Sequence, residues 1–465
     1  MEGEKALLAH LYRRAGFGST IAELNFGAQK GYESVVDDLL NPERFPEVDD
    51  DLLGRYNLGL LMDSSISGES ERWIYRMVNT KRPLQEKIAL FWHHVFATAW
   101  YKTEQNPDIV RQICMFRESG LMSFKSILLK LSRDPAMLDW LDNQENHKGE
   151  PNENYARELL ELFSMGVGNY SESDIKNAAL AFSGWSFIQP IPGYPYGQYP
   201  SEFVYLDDDH DRSEKTFLGK VGKFDGEDII DIIVKQPATA RFISRHLYNF
   251  FVADESPVPT WGHIGPSNPR AIDELSHAYF EHNGDIRSIL RVLFNSDFFK
   301  NSLFKRVKCP AELVAGTIKL AGTHNFPVPS LSKLPQVLTM MGQELLNPPT
   351  VEGWHTGREW IDGGTLTERI DFSIGEIADV SNPGIIEITS ILNKELKSWT
   401  SEDLVDSCLD KVGSMEVSGQ TRSALVRHVN RAWPGKDGIH RGRITELMVV
   451  ELLKLIVSSR EYQFA

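Results

Sequence analysis

The spacing of apolar residues is the feature that most restricts how this chain can fold. Along most of its length they recur every three to four residues, the period of an amphipathic α-helix. Prolines and N-capping residues stand where many of these segments begin. Strand-like composition is confined to a short stretch around residues 203–205. The sequence therefore predicts a mainly α protein, a large bundle-like array of helices with long irregular loops and at most a small β-hairpin.

The length of 465 residues is enough for more than one domain. We expect a helical core over residues 1–372, with a seam in the loop at 256–268. A C-terminal helical subdomain over residues 373–465 would pack on this core.

Charge and cysteine content exclude several classes of protein. The formal charge of −16 opposes phosphate contact, so we expect no nucleic-acid partner. The three cysteines, Cys114, Cys309 and Cys408, lie far apart and form no CxxC pair. This pattern excludes a disulfide framework and a cysteine-rich zinc site, and it predicts buried thiols.

The chain contains no apolar run long enough for a membrane span. Its first residues lack a basic leader and a small-residue cleavage site. As written, the sequence predicts a cytoplasmic protein, or an exported one whose signal precedes the sequence given.

The first candidate site lies on the predicted helix that begins near Pro83. Glu86 and His93 are seven residues apart, which places them within about 20° of each other around a helix. His94 lies about 80° from Glu86, at the margin of the same face. The pair could bind a metal, or Glu86 could orient His93 as a general base. A buried histidine paired with a structural carboxylate is the alternative.

The second candidate site lies on a helix predicted over residues 152–166. Glu158 and Glu161 are three residues apart and share a face. Inward carboxylates at this spacing bind metals in helical bundles. Arg157 and Asn154 lie beside them as candidate catalytic and ligand-contact residues. A solvated helix surface would show the same pattern.

Two further segments carry chemistry-bearing side chains. Four aspartates surround His210 in residues 207–211, and their oxygens could bind a hard cation or form an exposed acidic turn. Trp354 and Trp360 lie in a glycine-rich loop, where they could stack on a sugar or peptide ligand or fix the loop to the core. The same question applies to the tyrosines of the 189–200 loop, which are Tyr194, Tyr196 and Tyr199.

Several standard catalytic motifs are absent from the sequence. It has no Gly-x-Ser-x-Gly elbow, no phosphate-binding loop and no His-Glu-x-x-His. The reaction class therefore stays open.

A set of motifs spread over residues 5–375 resembles the bacterial family called domain of unknown function 1800. The motifs are His10-Leu-Tyr-Arg-Arg-Ala-Gly-Phe-Gly18, Phe91-Trp-His93, Pro151-Asn-Glu-Asn-Tyr-Ala-Arg-Glu-Leu-Leu-Glu-Leu162, Pro237-Ala-Thr-Ala-Arg-Phe-Ile243, Lys308-Cys-Pro-Ala-Glu-Leu-Val314, Asn347-Pro-Pro349, Gly353-Trp354 and Trp360. The resemblance implies a helical fold but no established activity. It also implies an exported protein with a partner protein of the cell envelope.

The chain departs from the family pattern at two positions. The resemblance implies histidines where this sequence has Val95 and Phe163. If those histidines are ligands, a metal site here is incomplete or rearranged.

Two functional hypotheses follow. The first is an enzyme with a His/carboxylate site between helices, which a divalent metal could occupy. Its metal ligands would be His93, Glu158, Glu161 and His210, with Glu86 and Arg157 as further catalytic residues. The second is a non-catalytic binding or assembly protein of the cell envelope, with the Trp and Tyr loops as its contact surface. The identity of any small-molecule or glycan ligand stays open under both.

Overall fold

The computed structural model describes residues 2–56, 66–189, 199–435 and 439–465. The described chain is mainly helical, which confirms the predicted fold class. Among the described residues, twelve α-helices precede the first strand: α1 Glu2–Arg14, α2 Ile21–Lys30, α3 Tyr32–Leu40, α4 Asp50–Tyr56, α5 Ile66–Asn79, α6 Pro83–Val95, α7 Trp100–Thr103, α8 Asn106–Ser119, α9 Phe124–Ser132, α10 Pro135–Trp140, α11 Asn154–Glu161 and α12 Glu172–Phe182.

Twelve more described helices follow the strands. They are α13 Gly226–Ile233, α14 Pro237–Phe251, α15 Pro269–Glu281, α16 Ile286–Asn295, α17 Asp297–Lys300, α18 Pro310–Ala321, α19 Leu334–Met340, α20 Gly363–Ile377, α21 Pro383–Glu395, α22 Ser401–Lys411, α23 Gly419–Ala432 and α24 Glu446–Val457. Short 3₁₀ turns occur at Pro42–Arg44, Asn143–Glu145, Asp207–Asp209, Val258–Thr260, Pro329–Lys333, Gly357–Trp360 and Glu461–Gln463.

The β structure is slightly larger than predicted. Strand β1, Trp185–Ile188, pairs antiparallel with β2, Glu202–Tyr205. A second pair joins β3, Lys215–Phe217, to β4, Lys220–Gly222. The strand at 203–205 was expected, but its partner β1 was not. A four-residue strand directly after a helix is too short for its alternation to stand out.

Side-chain caps explain where many helices begin. Thr20 caps α2 and receives a reciprocal bond from Glu23, and Ser171 caps α12 with Asp174 in the same way. Pro83 occupies the first turn of α6, where no backbone donor is needed. The boundaries were therefore readable from local sequence at these positions.

Helix α6 is the central element of the fold. Eleven of its thirteen residues are buried, and they include the polar side chains of Glu86, Lys87, His93 and His94. The ring of Phe91 packs against Phe250, with centroids 5.2 Å apart, and this contact joins α6 to α14. A helix buried on most sides has no solvent-facing stripe, so its polar residues must find partners inside the protein.

The C-terminal helices pack directly on the core, with α20 and α21 against α18 and α24 against α20. Helix α20 runs through the predicted boundary at residue 372, and the division into two domains stays a prediction. In the part of the chain that is described, no helix combines the length and the apolar character needed to cross a bilayer.

Candidate functional site

A cavity lies where α6, α14, the start of α18 and the loop that precedes α20 meet. Its volume is about 20 Å³, and it opens toward solvent. We call it the central cavity. It is lined by apolar and polar side chains: Leu90, Phe91, His94, His246, Asn249, Phe250, Arg306, Cys309, Gln343, Trp354, His355, Thr356 and Trp360. Apolar walls with a few converging polar groups are typical of small-molecule sites.

The backbone of Trp354 determines the tautomer of His94. The Trp354 N–H donates to Nδ1 of His94 over 3.3 Å, so this nitrogen carries no proton. Burial, followed by the charge of Arg306, lowers the pKa of His94 to about 4. The ring is therefore neutral near pH 7, and its proton resides on Nε2. His94 can donate a hydrogen bond from Nε2.

A glycine allows the loop to approach His94 this closely. Gly353 has φ +91°, and a Cβ at this position would collide with the backbone oxygen of His94. The Trp354 ring then lies parallel to the His94 ring at 6.4 Å. The Gly353–Trp354 pair therefore positions one wall of the central cavity.

Two buried amides are oriented by backbone donors. Oδ1 of Asn249 accepts from Glu255 N–H at 2.9 Å, and Oε1 of Gln343 accepts from Ala311 N–H at 2.9 Å. Because each amide oxygen is fixed, the identity of each amide nitrogen is fixed as well. Asn249 is 6% exposed and Gln343 is 2% exposed. Both amide nitrogens are donors without a hydrogen-bond partner among the described residues.

Arg306 belongs to a buried network of charges. Its Nη1 donates to both oxygens of Glu312 at 2.7 Å, and Lys87 pairs with the same carboxylate. Glu312 also accepts from the backbone N–H of Cys309 at 2.8 Å. Burial opposes its ionisation, but Arg306 and Lys87 hold the pKa of Glu312 far below its ordinary value. Nη2 of Arg306 makes no hydrogen bond to a described residue.

His246 is the second histidine of the central cavity. Its ring packs edge-on against Phe242 and also contacts Trp261, with both centroid distances 4.6 Å. Nε2 is buried and has no hydrogen-bond partner in the described structure. Burial, then the charges of His94 and Arg245, lower the pKa of His246 well below its ordinary value. This imidazole is also neutral near pH 7.

Cys309 also borders the central cavity, but its thiol is not activated. Burial, and then the neighbouring Glu312 carboxylate, raise the pKa of Cys309 to about 11. The thiol form therefore predominates at neutral pH, and this form is a poor nucleophile.

Glu86 is bound by neighbouring donors and makes no hydrogen bond to His93. The Glu86 carboxylate is 1% exposed and accepts from Trp73 Nε1 at 3.0 Å, Arg76 Nε at 3.1 Å and Arg117 Nε at 2.8 Å. No hydrogen bond joins Glu86 to His93. The pairing that the shared helix face suggested does not form, because these neighbouring donors occupy the carboxylate.

His93 lies between two indole rings. Its ring centroid is 5.8 Å from that of Trp73 and 5.1 Å from that of Trp354. Neither ring nitrogen has a hydrogen-bond partner among the described residues. Burial, and then His94, lower the pKa of His93 to about 3. His93 is a neutral core residue directly behind the wall formed by Trp354.

The carboxylates of α11 form a separate cluster. Burial, then Glu161, and to a smaller extent Glu352, raise the pKa of Glu158 to about 7. Glu161 accepts from the Tyr170 hydroxyl at 3.0 Å. Neither carboxylate is hydrogen-bonded or ion-paired with His93. The two glutamates thus form a coupled acid pair outside the central cavity.

Two other predicted residues of this helix lie at its surface. Arg157 donates twice to Glu172, at 3.1 and 2.9 Å, and once to Glu153 at 3.1 Å. The exposed side chain of Asn154 contacts Asp142 over 3.4 Å. Both residues stabilise the surface around the start of α11.

His210 belongs to the small β region. Its Nδ1 donates to the carbonyl of Ser183 at 2.9 Å, and its ring lies 5.5 Å from that of Tyr205. No ion pair or hydrogen bond links it to Glu158 or Glu161. Within the described residues, no group of three or more His, Cys, Asp or Glu side chains is arranged to hold a metal ion.

The two predicted tryptophans do line the central cavity. Trp354 is 5% exposed and Trp360 is 4% exposed, and Trp354 Nε1 donates to the carbonyl of Glu344 at 3.1 Å. Among the tyrosines, Tyr199 is exposed, whereas Tyr194 and Tyr196 lie outside the described residues.

Apolar core occupies the two positions where histidines were implied. Val95 is 4% exposed and Phe163 is fully buried. The Phe163 ring packs edge-on against Phe96 at 5.5 Å. These positions therefore contribute packing in this chain.

Four polar residues of the central cavity were not singled out from the sequence. His246 and Asn249 are three residues apart on α14, a spacing that places them on one helix face. This spacing was the available indication for that pair. Arg306 and Gln343 lie in connecting segments, and no local pattern marks either of them.

A comparison with known protein families gives a match over most of the sequence. The pattern of the family described as "Protein of unknown function (DUF1800)" matches residues 10–464, nearly the whole chain. Neither the curated proteins nor the solved structures include a match. The chain therefore belongs to the DUF1800 family.

Proposed function

We propose that this protein is an enzyme whose active site is the central cavity. One observation carries the proposal. Five polar side chains that are each at least nine-tenths buried converge on one cavity: His94, His246, Asn249, Arg306 and Gln343. Buried polar groups in a purely structural core are normally hydrogen-bonded within the protein. Groups left available around a cavity are typical of ligand sites.

The side chains suit the stabilisation of negative charge. Neutral His94 offers Nε2–H, and Arg306 offers a guanidinium whose Nη2 has no described partner. Preorganised donors in a low-dielectric site stabilise an oxyanion that develops during a reaction. A neutral histidine can act as such an electrophilic donor. We therefore assign His94 and Arg306 to charge stabilisation at a reacting oxygen.

His246 is the candidate proton acceptor. It borders the same cavity as His94, and neither of its nitrogens is hydrogen-bonded to a described residue. A neutral imidazole has one nitrogen that accepts a proton. This assignment retains a histidine-based site between helices, but with His94 and His246 in place of the predicted His93 and Glu86.

The binding of a divalent metal by His93, Glu158, Glu161 and His210 stays a separate hypothesis. It is tested by elemental mass spectrometry of the purified protein and of His93→Ala. A stoichiometric transition metal that is lost in the variant would support it, and equal metal content in both proteins would contradict it.

The enzyme proposal is tested by untargeted mass spectrometry. Wild-type protein, His94→Gln and the surface control Gln420→Glu are each incubated with a metabolite extract. We expect at least one compound to be consumed by the wild type and by Gln420→Glu, but not by His94→Gln. Conversion that is equal in all three proteins would place the activity elsewhere.

A binding role would give a different result in the same assay. Compounds that copurify with the wild type and are released unchanged would favour the non-catalytic alternative. A partner protein of the cell envelope belongs to that alternative.

A further inference from the structure

A serine, a histidine, a threonine and a glutamate contact one another just after the end of α18. Ser330 Oγ, on the 3₁₀ turn Pro329–Lys333, lies 3.2 Å from Nε2 of His324. On the other side of the ring, Nδ1 lies 3.1 Å from the Thr323 hydroxyl and 3.6 Å from Oε1 of Glu376. The Thr323 hydroxyl also donates to Oε1 of Glu376, which lies in the last turn of α20.

The ionised state of Glu376 determines the direction of these hydrogen bonds. Burial opposes its ionisation, but the contacts with His324 and Thr323 hold the pKa of Glu376 below its ordinary value. An ionised carboxylate only accepts, so the Thr323 hydroxyl donates to it and accepts from Nδ1–H of His324. In the neutral ring Nε2 then carries no proton, and the Ser330 hydroxyl donates to it.

The imidazole is held by the fold, whereas the serine is open to solvent. His324 is 9% exposed, and the side chain of Glu376 is 15% exposed. The backbone carbonyl of His324 accepts from Asn79 Nδ2 at 3.0 Å, and this bond ties the loop to α5. Ser330 itself is exposed. Its hydroxyl can therefore reach a substrate that arrives from solvent.

A nucleophile that is hydrogen-bonded to a base, whose ring a third group orients, is the arrangement that activates serine in hydrolases. We propose that Ser330 is the nucleophile of a second active site, which hydrolyses small carboxylic esters, with His324 as its general base. Thr323 and Glu376 are positioning residues, since they orient the imidazole and favour its charged form. None of these residues lines the central cavity, so this site goes beyond the proposed function.

The order of the protons defines the reaction. Ser330 Oγ bonds to the carbonyl carbon of the ester, and its proton passes to Nε2 of His324. The bond from that carbon to the alkoxy oxygen breaks, and Nε2 gives the proton to the departing alcohol. Water then attacks the acyl-serine and gives a proton to Nε2, which returns it to Ser330 Oγ as the carboxylic acid leaves. Water is the co-reactant, and no oxidant or reductant is needed.

The surroundings of Ser330 favour an ester with a short apolar acyl group. Phe326 and Val328 precede it in the same loop and are 43% and 38% exposed. They offer apolar surface for the acyl chain. An ester also releases an alcohol, which is a better leaving group than the amine of an amide.

Labelling with an alkyl fluorophosphonate tests the nucleophile, because the reagent phosphonylates an activated serine and releases fluoride. Peptide mass spectrometry locates the label, and hydrolysis of p-nitrophenyl butyrate is followed in parallel. We expect the label on Ser330 of the wild type, and we expect Ser330→Ala to lose the hydrolysis. Ser332→Ala is the matched control, since Ser332 is exposed on the same turn and its hydroxyl donates to the Pro329 carbonyl at 2.9 Å. This variant should keep both activities.

The rate of labelling in further variants tests the hydrogen bonds behind the serine. His324→Gln should slow labelling of Ser330 by about 100-fold or more, because the general base is gone. Thr323→Val removes the hydroxyl but keeps the shape, and it should slow labelling by about tenfold. Thr323→Ser restores the hydroxyl and should be labelled like the wild type. Glu376→Gln removes the charge that favours the imidazolium and should also slow labelling. Thermal melting shows that each variant is folded at the assay temperature.

The inference is wrong if Ser330 takes no label, if the label forms without ester hydrolysis, or if hydrolysis continues in Ser330→Ala. Equal labelling rates in the wild type, His324→Gln and Thr323→Val would also overturn it, since the contacts would then only fix the loop. His94→Gln should be labelled at Ser330 like the wild type. The enzyme proposal for the central cavity fails separately, because its test follows conversion that depends on His94.

Discussion

Glu86 provides the sharpest test of the buried polar contacts around α6. Glu86→Gln keeps the size of the side chain but removes its charge. The carboxylate accepts three hydrogen bonds, two of them from Arg76 and Arg117, whose side chains are only 12% and 13% exposed. An amide has one acceptor oxygen, and its NH₂ group would face at least one of these donors.

The expected loss can be worked out from these contacts. Removing one partner of a buried ion pair costs about 3–5 kcal/mol, since the remaining charge stays buried. With an unfolding entropy of about 2.1 cal/mol/K per residue, a chain of 465 residues has about 1 kcal/mol/K. Glu86→Gln should therefore lower the melting temperature by about 3–5 °C.

Differential scanning calorimetry at neutral pH measures this shift. Glu47→Gln is the control, because Glu47 pairs with Arg82 at the surface and its side chain is 68% exposed. That change should stay within about 0.5 kcal/mol. A melting temperature for Glu86→Gln within about 1 °C of the wild type would refute the structural role of Glu86.

Three further predictions concern individual residues. Carbon NMR of the side-chain carboxyl of Glu158 should show a pKa near 7 that falls in Glu161→Gln, because the like charge is gone; an unchanged pKa would contradict the coupling. Burial without a hydrogen-bond partner lowers the pKa of His93 from 6.5 to about 3, because it disfavours the charged ring. The contribution of His93 to stability is therefore fully present above pH 6.5 and is lost as the pH falls through about 3. The melting temperature of His93→Leu at neutral pH should be no lower than that of the wild type, and the variant should lose less stability between pH 6.5 and about pH 3. A large loss of stability at neutral pH would contradict the absence of a hydrogen-bond partner for the imidazole. Gly353→Ala forces a Cβ against the carbonyl oxygen of His94 at a φ of +91°. The free energy of unfolding, measured by thermal melting, should therefore fall by about 1–3 kcal/mol. Unchanged stability would contradict the close approach of the loop to His94.

The helical fold was predictable because the 3.6-residue period and the caps are local properties of the sequence. Thr20 and Glu23 form a capping box that the sequence shows directly. The strand pair at 185–188 and 202–205 was only half predicted. Its first strand has only four residues and lies two residues after a helix, so its alternation is too short to distinguish it from the helical pattern before it.

The candidate site was less predictable, since helix faces give directions but not partners. Glu86 and His93 do lie on one face of α6, yet Arg76 and Arg117 from neighbouring helices take the carboxylate. The same helix contributes His94, which stood at the margin of that face. Its tautomer depends on Trp354, 260 residues away in the chain. No local pattern contains that information.

Trp354 and Trp360 were correctly singled out as aromatic residues of a glycine-rich loop, and they line the central cavity. Arg306 was missed because nothing in its local sequence distinguishes it from a surface arginine. Its buried charge is balanced by Glu312, six residues later, and Lys87 from α6 binds the same carboxylate. A buried ion network of this kind emerges only when the helices pack.

Anomalous diffraction from crystals soaked in bromide tests whether His94 and Arg306 hold an anion in the central cavity, since the anomalous signal of bromide shows its position. A bromide peak is expected in the central cavity, within hydrogen-bond distance of His94 Nε2 and of the guanidinium of Arg306. Bromide should be absent from the same place in Gln343→Glu crystals. Bromide sites confined to the protein surface, or a cation in the cavity coordinated by His94 and His246, would contradict it.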